Sequence, residues 1–197
     1  MDSNPGFLKR TWNFLKRPSA KYSLLTLIAL GFFAGIVFWG GFHTALEATN
    51  TLEFCISCHE MEANVYQEYK KTIHYANRTG VRAMCSDCHV PRDWGHKLYR
   101  KAQASMEVLG HITGYIDTPE KFAAHRMDMA THEWKRMKAS DSRECRNCHS
   151  FEAMSGVIQK QSVYKKHVKA KSEGATCIDC HKGVAHRLPK EYKDPDE

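Results

Sequence analysis

The eight cysteines of this 197-residue chain all fall in one repeated pattern, C-x-x-C-H, and none is left over. Cysteines can form disulfides, bind zinc or carry covalently bound haem, and their spacing distinguishes these uses. A histidine directly after the second cysteine is typical of c-type haem attachment, in which both thiols bond to the porphyrin. The sequence therefore predicts four covalent haem c groups, with no disulfide and no zinc, at four cysteine pairs: Cys55 and Cys58, Cys85 and Cys88, Cys145 and Cys148, and Cys177 and Cys180.

An uncharged apolar segment, residues 22–42, lies near the N-terminus. About 20 helical residues cross the hydrocarbon layer of a membrane. The segment is longer than the core of a signal peptide, which has about 7–15 residues, and it has no small-residue cleavage site. We therefore predict an uncleaved anchor over residues 22–46 after an N-terminal segment, residues 1–21. That segment carries cations that place it in the cytoplasm: Lys9, Arg10, Lys16, Arg17 and Lys21.

The rest of the chain is then expected in the periplasm, as a single-pass protein of the bacterial inner membrane. Residues 47–188 form the predicted haem domain, and residues 189–197 form a polar tail. Because the N-terminal cations supply most of the net charge of +7, a nucleic-acid partner is not predicted. Gly31 and Gly35 form a G-x-x-x-G of the kind found where membrane helices pair, which is compatible with a homo-oligomer.

The motifs occur as two pairs, which indicates an internal duplication. The predicted modules cover about residues 50–92 and 141–188, and a helical spacer covers residues 93–140. One helix is expected from about Trp94 to His111, and a second after Thr118, an N-cap residue followed by proline. No sustained alternation of polar and apolar residues is present. The predicted fold is therefore mainly α, with little or no β structure.

Histidines supply the expected axial iron ligands. His74 and His167 occupy corresponding places in the two modules, which favours them as distal ligands. His186, after the fourth motif, is favoured over its counterpart His96, after the second. The histidine of a c-type motif normally takes the other axial position, and the four motif histidines are His59, His89, His149 and His181.

The first motif differs from the other three because Met61 follows its histidine, His59, by two residues. A lone methionine is usually a packing residue. A thioether can also ligate haem iron, where it raises the reduction potential. The motif begins soon after Phe42, so its haem is expected near the membrane surface, within reach of a lipid-soluble quinol.

These features together resemble the NapC/NirT family of membrane-anchored tetrahaem cytochromes, which includes the NrfH branch. The resemblance covers nearly the whole chain and is closest to the NapC-like members. It rests on the single anchor, the paired motifs, the C-x-x-C-H-x-M signature that ends at Met61, the His89-Val90-Pro91 sequence, the run from Asp117 to Phe122, and the run from Asp141 to Glu152.

The resemblance implies an enzyme that oxidises menaquinol or ubiquinol and passes electrons to a soluble periplasmic reductase. Nitrate reductase is the expected acceptor. A nitrite reductase or several acceptors, and a plain electron carrier without a quinol site, are the alternatives. The family pattern also implies that Met61, rather than His59, ligates the first haem, and that His74, His167 and His186 are the distal ligands of the other three.

In the NrfH branch, an acidic residue and a lysine on the helix after the second motif line the quinol pocket. The resemblance carries the acidic role to Glu107 and the lysine role to Lys97 or Lys101. A solvent-exposed charged helix is the alternative for these three residues. Burial would raise the pKa of Glu107 and allow it to accept a proton, and an ammonium group would stabilise charge on the quinone oxygen.

Overall fold

The computed structural model describes residues 6–193 and is mainly helical, with no strand in that part of the chain. The predicted α fold is therefore confirmed. The ends of the N-terminal segment and the polar tail, residues 1–5 and 194–197, lie outside the described residues. The described residues form ten α-helices and one π-helix, in this chain order: α1 (Phe7–Leu15), α2 (Leu24–Ala48), α3 (Leu52–Cys55), the π-helix (Met61–Tyr66), α4 (Gln67–Tyr69), α5 (Cys85–His89), α6 (Trp94–Ile112), α7 (Pro119–Ala139), α8 (Arg143–Arg146), α9 (Gln161–Glu173) and α10 (Cys177–Cys180).

The chain divides into two compact units, Met1–Glu47 and Ala48–Glu197. The long helix of the first unit, α2, begins after Ser23, whose hydroxyl accepts a hydrogen bond from the backbone N–H of Thr26 at 3.2 Å. Its 25 residues correspond to about 37 Å, which is enough to cross a membrane. Within residues 6–193 it is the one helix with that length and apolar composition.

In the second unit, each motif lies at a short helix, and capping side chains explain where the helices of the second and fourth motifs begin. The carboxylate of Asp87 accepts a hydrogen bond from the backbone N–H of Met84 at 2.8 Å, ahead of α5. Asp179 does the same for Thr176 at 2.9 Å, ahead of α10. An aspartate before the second cysteine therefore satisfies a backbone donor at the helix start in two of the motifs.

The predicted spacer helices are confirmed as α6 and α7. Asp93 caps α6 by accepting the backbone N–H of His96 at 3.0 Å. Thr118 caps α7 by accepting the N–H of Lys121 at 3.3 Å, with Pro119 in the first turn. Phe122 and Met137, both on α7, belong to the small set of buried apolar side chains, with Leu52, Tyr69, Ile116 and Ile178.

The third and fourth motifs are joined through a buried serine. Ser142 is completely buried, and its hydroxyl accepts the backbone N–H of Ile178 at 3.1 Å. Asp141 and Ser142 both have positive φ, at 53° and 49°. This uncommon backbone ends the run after α7 and turns the chain into α8. The loop before the third motif therefore also fixes the position of the fourth.

Candidate haem and quinol site

Consecutive motifs lie beside one another in the second unit. The helix of the first motif, α3, contacts α5 of the second, and α5 contacts α8 of the third. The order of the motifs in the sequence is therefore also their order in space.

Three motif histidines each lie beside one of the predicted distal histidines. The ring centroids of His89 and His186 are 6.3 Å apart, with an interplanar angle of 35°. His149 and His74 are 6.3 Å apart at 82°, and His181 and His167 are 5.9 Å apart at 31°. The first two pairs join residues of different modules, whereas the third lies within the second module.

These separations fit paired axial ligands. A metal–imidazole bond is about 2.0 Å long, so two rings on opposite faces of one iron hold their centroids roughly 6 Å apart. Rotation about each bond leaves the angle between the ring planes free, so angles of 31° and 82° are both compatible. The donor set, a thiol pair and two imidazoles at each of these three places, matches the needs of a bis-histidine haem c.

Hydrogen bonds donated by Nδ1 orient three of these rings. Nδ1 of His74 lies 3.4 Å from the carbonyl oxygen of Val184, and Nδ1 of His167 lies 3.1 Å from the amide oxygen of Gln159. Nδ1 of His89 lies 2.9 Å from a carboxylate oxygen of Glu133. These oxygens only accept, so Nδ1 is the protonated nitrogen and Nε2 keeps its lone pair for a metal.

His186 is held differently, since its Nδ1 is buried and has no hydrogen-bond partner within residues 6–193. Burial and the neighbouring His89 lower the pKa of His186 to about 4. Burial, together with His167 and His149, also lowers the pKa of His181. Both imidazoles are therefore neutral near pH 7, the form that binds metal.

The first motif has a different arrangement. Nε2 of His59 lies 2.7 Å from the carbonyl oxygen of Asp117, and its Nδ1 lies 3.3 Å from a carboxylate oxygen of Glu60. His111 lies 6.0 Å from His59 between ring centroids, but with Nε2 of His59 bound to a carbonyl, this pair lacks the free nitrogens of the other three. Met61 begins the π-helix, an uncommon element that is frequent at functional sites.

The residues predicted for the quinol pocket lie along α6 but are not brought together. Nζ of Lys101 donates to the carbonyl and hydroxyl oxygens of Thr49 at 3.0 and 2.6 Å. Nζ of Lys97 lies 5.9 Å from the ring centroid of Trp94. The Glu107 carboxylate is 61% exposed and accepts a hydrogen bond from Arg100 at 2.7 Å.

Sequence reasoning missed three residues that the structure places at the motifs: Glu60, His111 and Glu133. Glu60 follows the first motif directly, at the start of the π-helix, and is 2% exposed, although charged residues are rarely buried. His96, the weaker distal candidate, binds Asp93 through Nδ1 at 2.6 Å. It is exposed and forms no ring pair with a motif histidine among the described residues.

Comparison with known proteins identifies the family. Residues 17–191 match the model of the NapC/NirT cytochrome c family, N-terminal region. The chain belongs to the NapC/NirT cytochrome c family. It is therefore a membrane cytochrome c that transfers electrons, with haem c as its cofactor.

Several relatives within the NapC/NirT family are similar over most of their length. The chain is 64% identical to the denitrification system component NirT of Stutzerimonas stutzeri, over 93% of this chain and 91% of the relative. It is 56% identical to the cytochrome c-type protein NapC of Escherichia coli K12, over 95% and 94%. A protein of Allochromatium vinosum that is named a putative tetraheme cytochrome-c type is 49% identical, over 89% of this chain and 95% of the relative. No solved structure matches the chain.

Proposed function

We propose that this NapC/NirT-family protein is a quinol dehydrogenase of the bacterial inner membrane, with a cytoplasmic N-terminus and a periplasmic haem domain. It oxidises menaquinol or ubiquinol and delivers the electrons to a soluble periplasmic reductase, and the proposed acceptor is nitrate reductase. The similarity to a NapC protein and to a denitrification component supports this choice. The observation that carries the proposal is the contrast between three paired-histidine motifs and a first motif built differently.

The proposed cofactors are four haem c groups, attached at the four cysteine pairs. The proposed axial pairs are His89 with His186, His149 with His74, and His181 with His167, supported by their ring separations of 5.9–6.3 Å. Haem c, when bound, accepts and releases one electron at a time. Met61 is the proposed ligand at the first motif, because Nε2 of His59 is hydrogen-bonded to the carbonyl oxygen of Asp117 and its Nδ1 faces the Glu60 carboxylate at 3.3 Å.

The chain also supplies groups for the two protons that a quinol releases. Glu107 is exposed rather than buried as its sequence role expected, and it is the proposed acceptor of a proton that it then exchanges with water. Lys101 is favoured over Lys97 for binding the quinone oxygen, because two hydrogen bonds that its ammonium group donates to Thr49 already fix its position. A positioned ammonium stabilises the negative charge that develops on that oxygen.

The test is reduction of the purified, haem-loaded protein by a quinol analogue, compared with reduction by dithionite. We expect Met61→Ala and Glu107→Ala to slow quinol-driven reduction by at least about 10-fold while dithionite still reduces both variants fully. His132→Gln, an exposed position on α7, is the matched control. Normal quinol kinetics in both variants would contradict the site assignment.

A second measurement concerns the partner. The native protein is solubilised, and the soluble reductase that copurifies with it is identified and then reduced by quinol through the complex. Nitrate reductase is the expected partner. Recovery of a nitrite reductase, or of several reductases, would replace this acceptor and leave quinol oxidation intact. No reduction of the wild-type protein by any quinol would make it a plain carrier.

A further inference from the structure

The first motif contains a buried carboxylate between two imidazoles. Glu60 is 2% exposed, and its Oε1 accepts a hydrogen bond from Nδ1 of His111 at 2.6 Å. Its Oε2 lies 3.3 Å from Nδ1 of His59. The Cys58 sulfur lies within 4.8 Å of the nearest donor atoms of Glu60 and His111. The cluster is therefore at the haem attachment point itself.

His111 is the accessible member of this cluster. It lies in the last turn of α6, and its side chain is 37% exposed. With Nδ1 donating to the carboxylate, Nε2 carries the lone pair, and this nitrogen makes no hydrogen bond to another residue within 6–193. A buried carboxylate that fixes the tautomer and orientation of an imidazole is also the arrangement that hydrolases use to hold a general base.

The other groups nearby are less suited to receive a proton from a bound substrate. Nε2 of His59 is hydrogen-bonded to the Asp117 carbonyl oxygen, and its Nδ1 faces the buried carboxylate of Glu60 at 3.3 Å. Glu60 is 2% exposed: its Oε1 already accepts from His111, and its Oε2, which has no hydrogen-bond partner within residues 6–193, is buried away from a bound substrate. Nε2 of His111 thus combines access, orientation and a free lone pair at the first motif.

We propose that His111 is a catalytic residue that binds one hydroxyl of the quinol and takes its proton at Nε2, with Glu60 as its positioning residue. This inference rests on the proposed quinol oxidation. The substrate loses two electrons and two protons and becomes the quinone. The electrons enter the redox chain of the proposed function, one proton goes to His111, and the other goes to Glu107.

The principal variant is His111→Gln, because an amide can hold a hydroxyl but cannot accept its proton. With a quinol analogue we expect kcat to fall about 100-fold, the lower range for loss of a general base. We expect KM to change less than about 3-fold, because the amide still holds the quinol through one hydrogen bond. The Kd of a redox-inert quinone analogue, measured by fluorescence quenching, should change as little. Glu60→Gln should lower kcat by a smaller factor.

Controls separate the outcomes. His132→Gln on α7 should match the wild type, and dithionite should reduce every variant fully with an unchanged haem absorption spectrum. If wild type itself is not reduced by quinol, the proposed function fails. If wild type is reduced and both His111→Gln and His111→Ala react at its rate, only the present inference fails. A change in the haem absorption spectrum of His111→Gln would indicate that His111 is an iron ligand, and it would also overturn the role of His111 as the proton acceptor.

Discussion

Glu133 is a side chain outside the motifs that fixes a proposed ligand. Its carboxylate accepts from Nδ1 of His89 at 2.9 Å and from two nitrogens of Arg136 at 2.6 and 3.0 Å. Burial alone would raise the pKa of Glu133, but these hydrogen bonds lower it below its ordinary range. The carboxylate is therefore ionised near pH 7 and makes the imidazole a better donor to iron.

We predict that Glu133→Gln lowers the affinity of His89 for the haem iron by about 10-fold and raises the reduction potential of that haem. The reduction potential should rise because the anionic carboxylate stabilises the oxidised iron, and a neutral amide would stabilise it less. A spectroscopic redox titration of the loaded protein measures the change. Asp128→Asn, at an exposed position on the same helix, is the control and should keep the wild-type reduction potential. The same potential in Glu133→Gln and wild type would contradict the role of Glu133 at His89.

At the scale of elements, local sequence explains the longest helix of the second unit. α7 has Thr118 as N-cap, Pro119 and Glu120 in the first turn, and Arg136 and Lys138 in the last. The N-cap residue and the proline suit the unpaired backbone N–H groups of the first turn, and the charged residues at each end have the sign that the helix dipole favours. The two proposed modules are less alike, since His167 lies on the 13-residue α9 whereas His74 lies in a turn.

Thr118→Ala should lower the free energy of unfolding by about 1 kcal/mol, because the N–H of Lys121 loses its capping acceptor. Denaturant unfolding of the loaded protein in detergent, followed by circular dichroism, measures it. Ser162→Ala, an exposed serine in α9, should stay within about 0.5 kcal/mol of wild type. An equal loss in both variants would argue against a specific cap.

At the scale of the whole second unit, one ion pair joins its beginning to its end. Arg126 on α7 donates to both carboxylate oxygens of Glu68 at 2.9 and 2.6 Å. The same two side chains bind the backbone of Arg187, through its carbonyl oxygen at 2.7 Å and its N–H at 3.0 Å. Because His186 precedes Arg187, this pair also fixes the loop that carries a proposed ligand.

We predict an acid-dependent loss of stability from this ion pair. Burial alone would raise the pKa of Glu68, but Arg126 and the Arg187 N–H lower it below its ordinary 4.5. A lowered carboxylate pKa contributes stability above the ordinary value, and that contribution disappears as the pH falls through the folded-state pKa. Glu68→Gln should cost up to about 3 kcal/mol near pH 7.

The measurement is denaturant unfolding of wild type and Glu68→Gln across a pH series. The difference between them should stay constant above about pH 5 and shrink at lower pH. Glu120→Gln, an exposed acid in the first turn of α7, is the control and should show a much smaller difference. A gap that is independent of pH would remove the electrostatic explanation.

The sequence by itself determined the features that depend on neighbouring residues. The cysteine and histidine spacing predicted the haem motifs, the uncharged segment predicted the long apolar helix α2, and Thr118 with Pro119 marked the start of α7. Such features are local, because capping, helix periodicity and thioether attachment involve residues within a few positions of one another. The mainly helical fold followed from them.

Only the tertiary structure decided which histidines meet. His74 lies beside His149, and His186 lies beside His89, although each pair joins opposite halves of the chain. The sequence also gave no sign that Glu60 is buried against His111. These contacts depend on how the loops close over long separations, and no local pattern records that closure. Packing of the helices, rather than the motifs themselves, therefore determines the surroundings of each iron site.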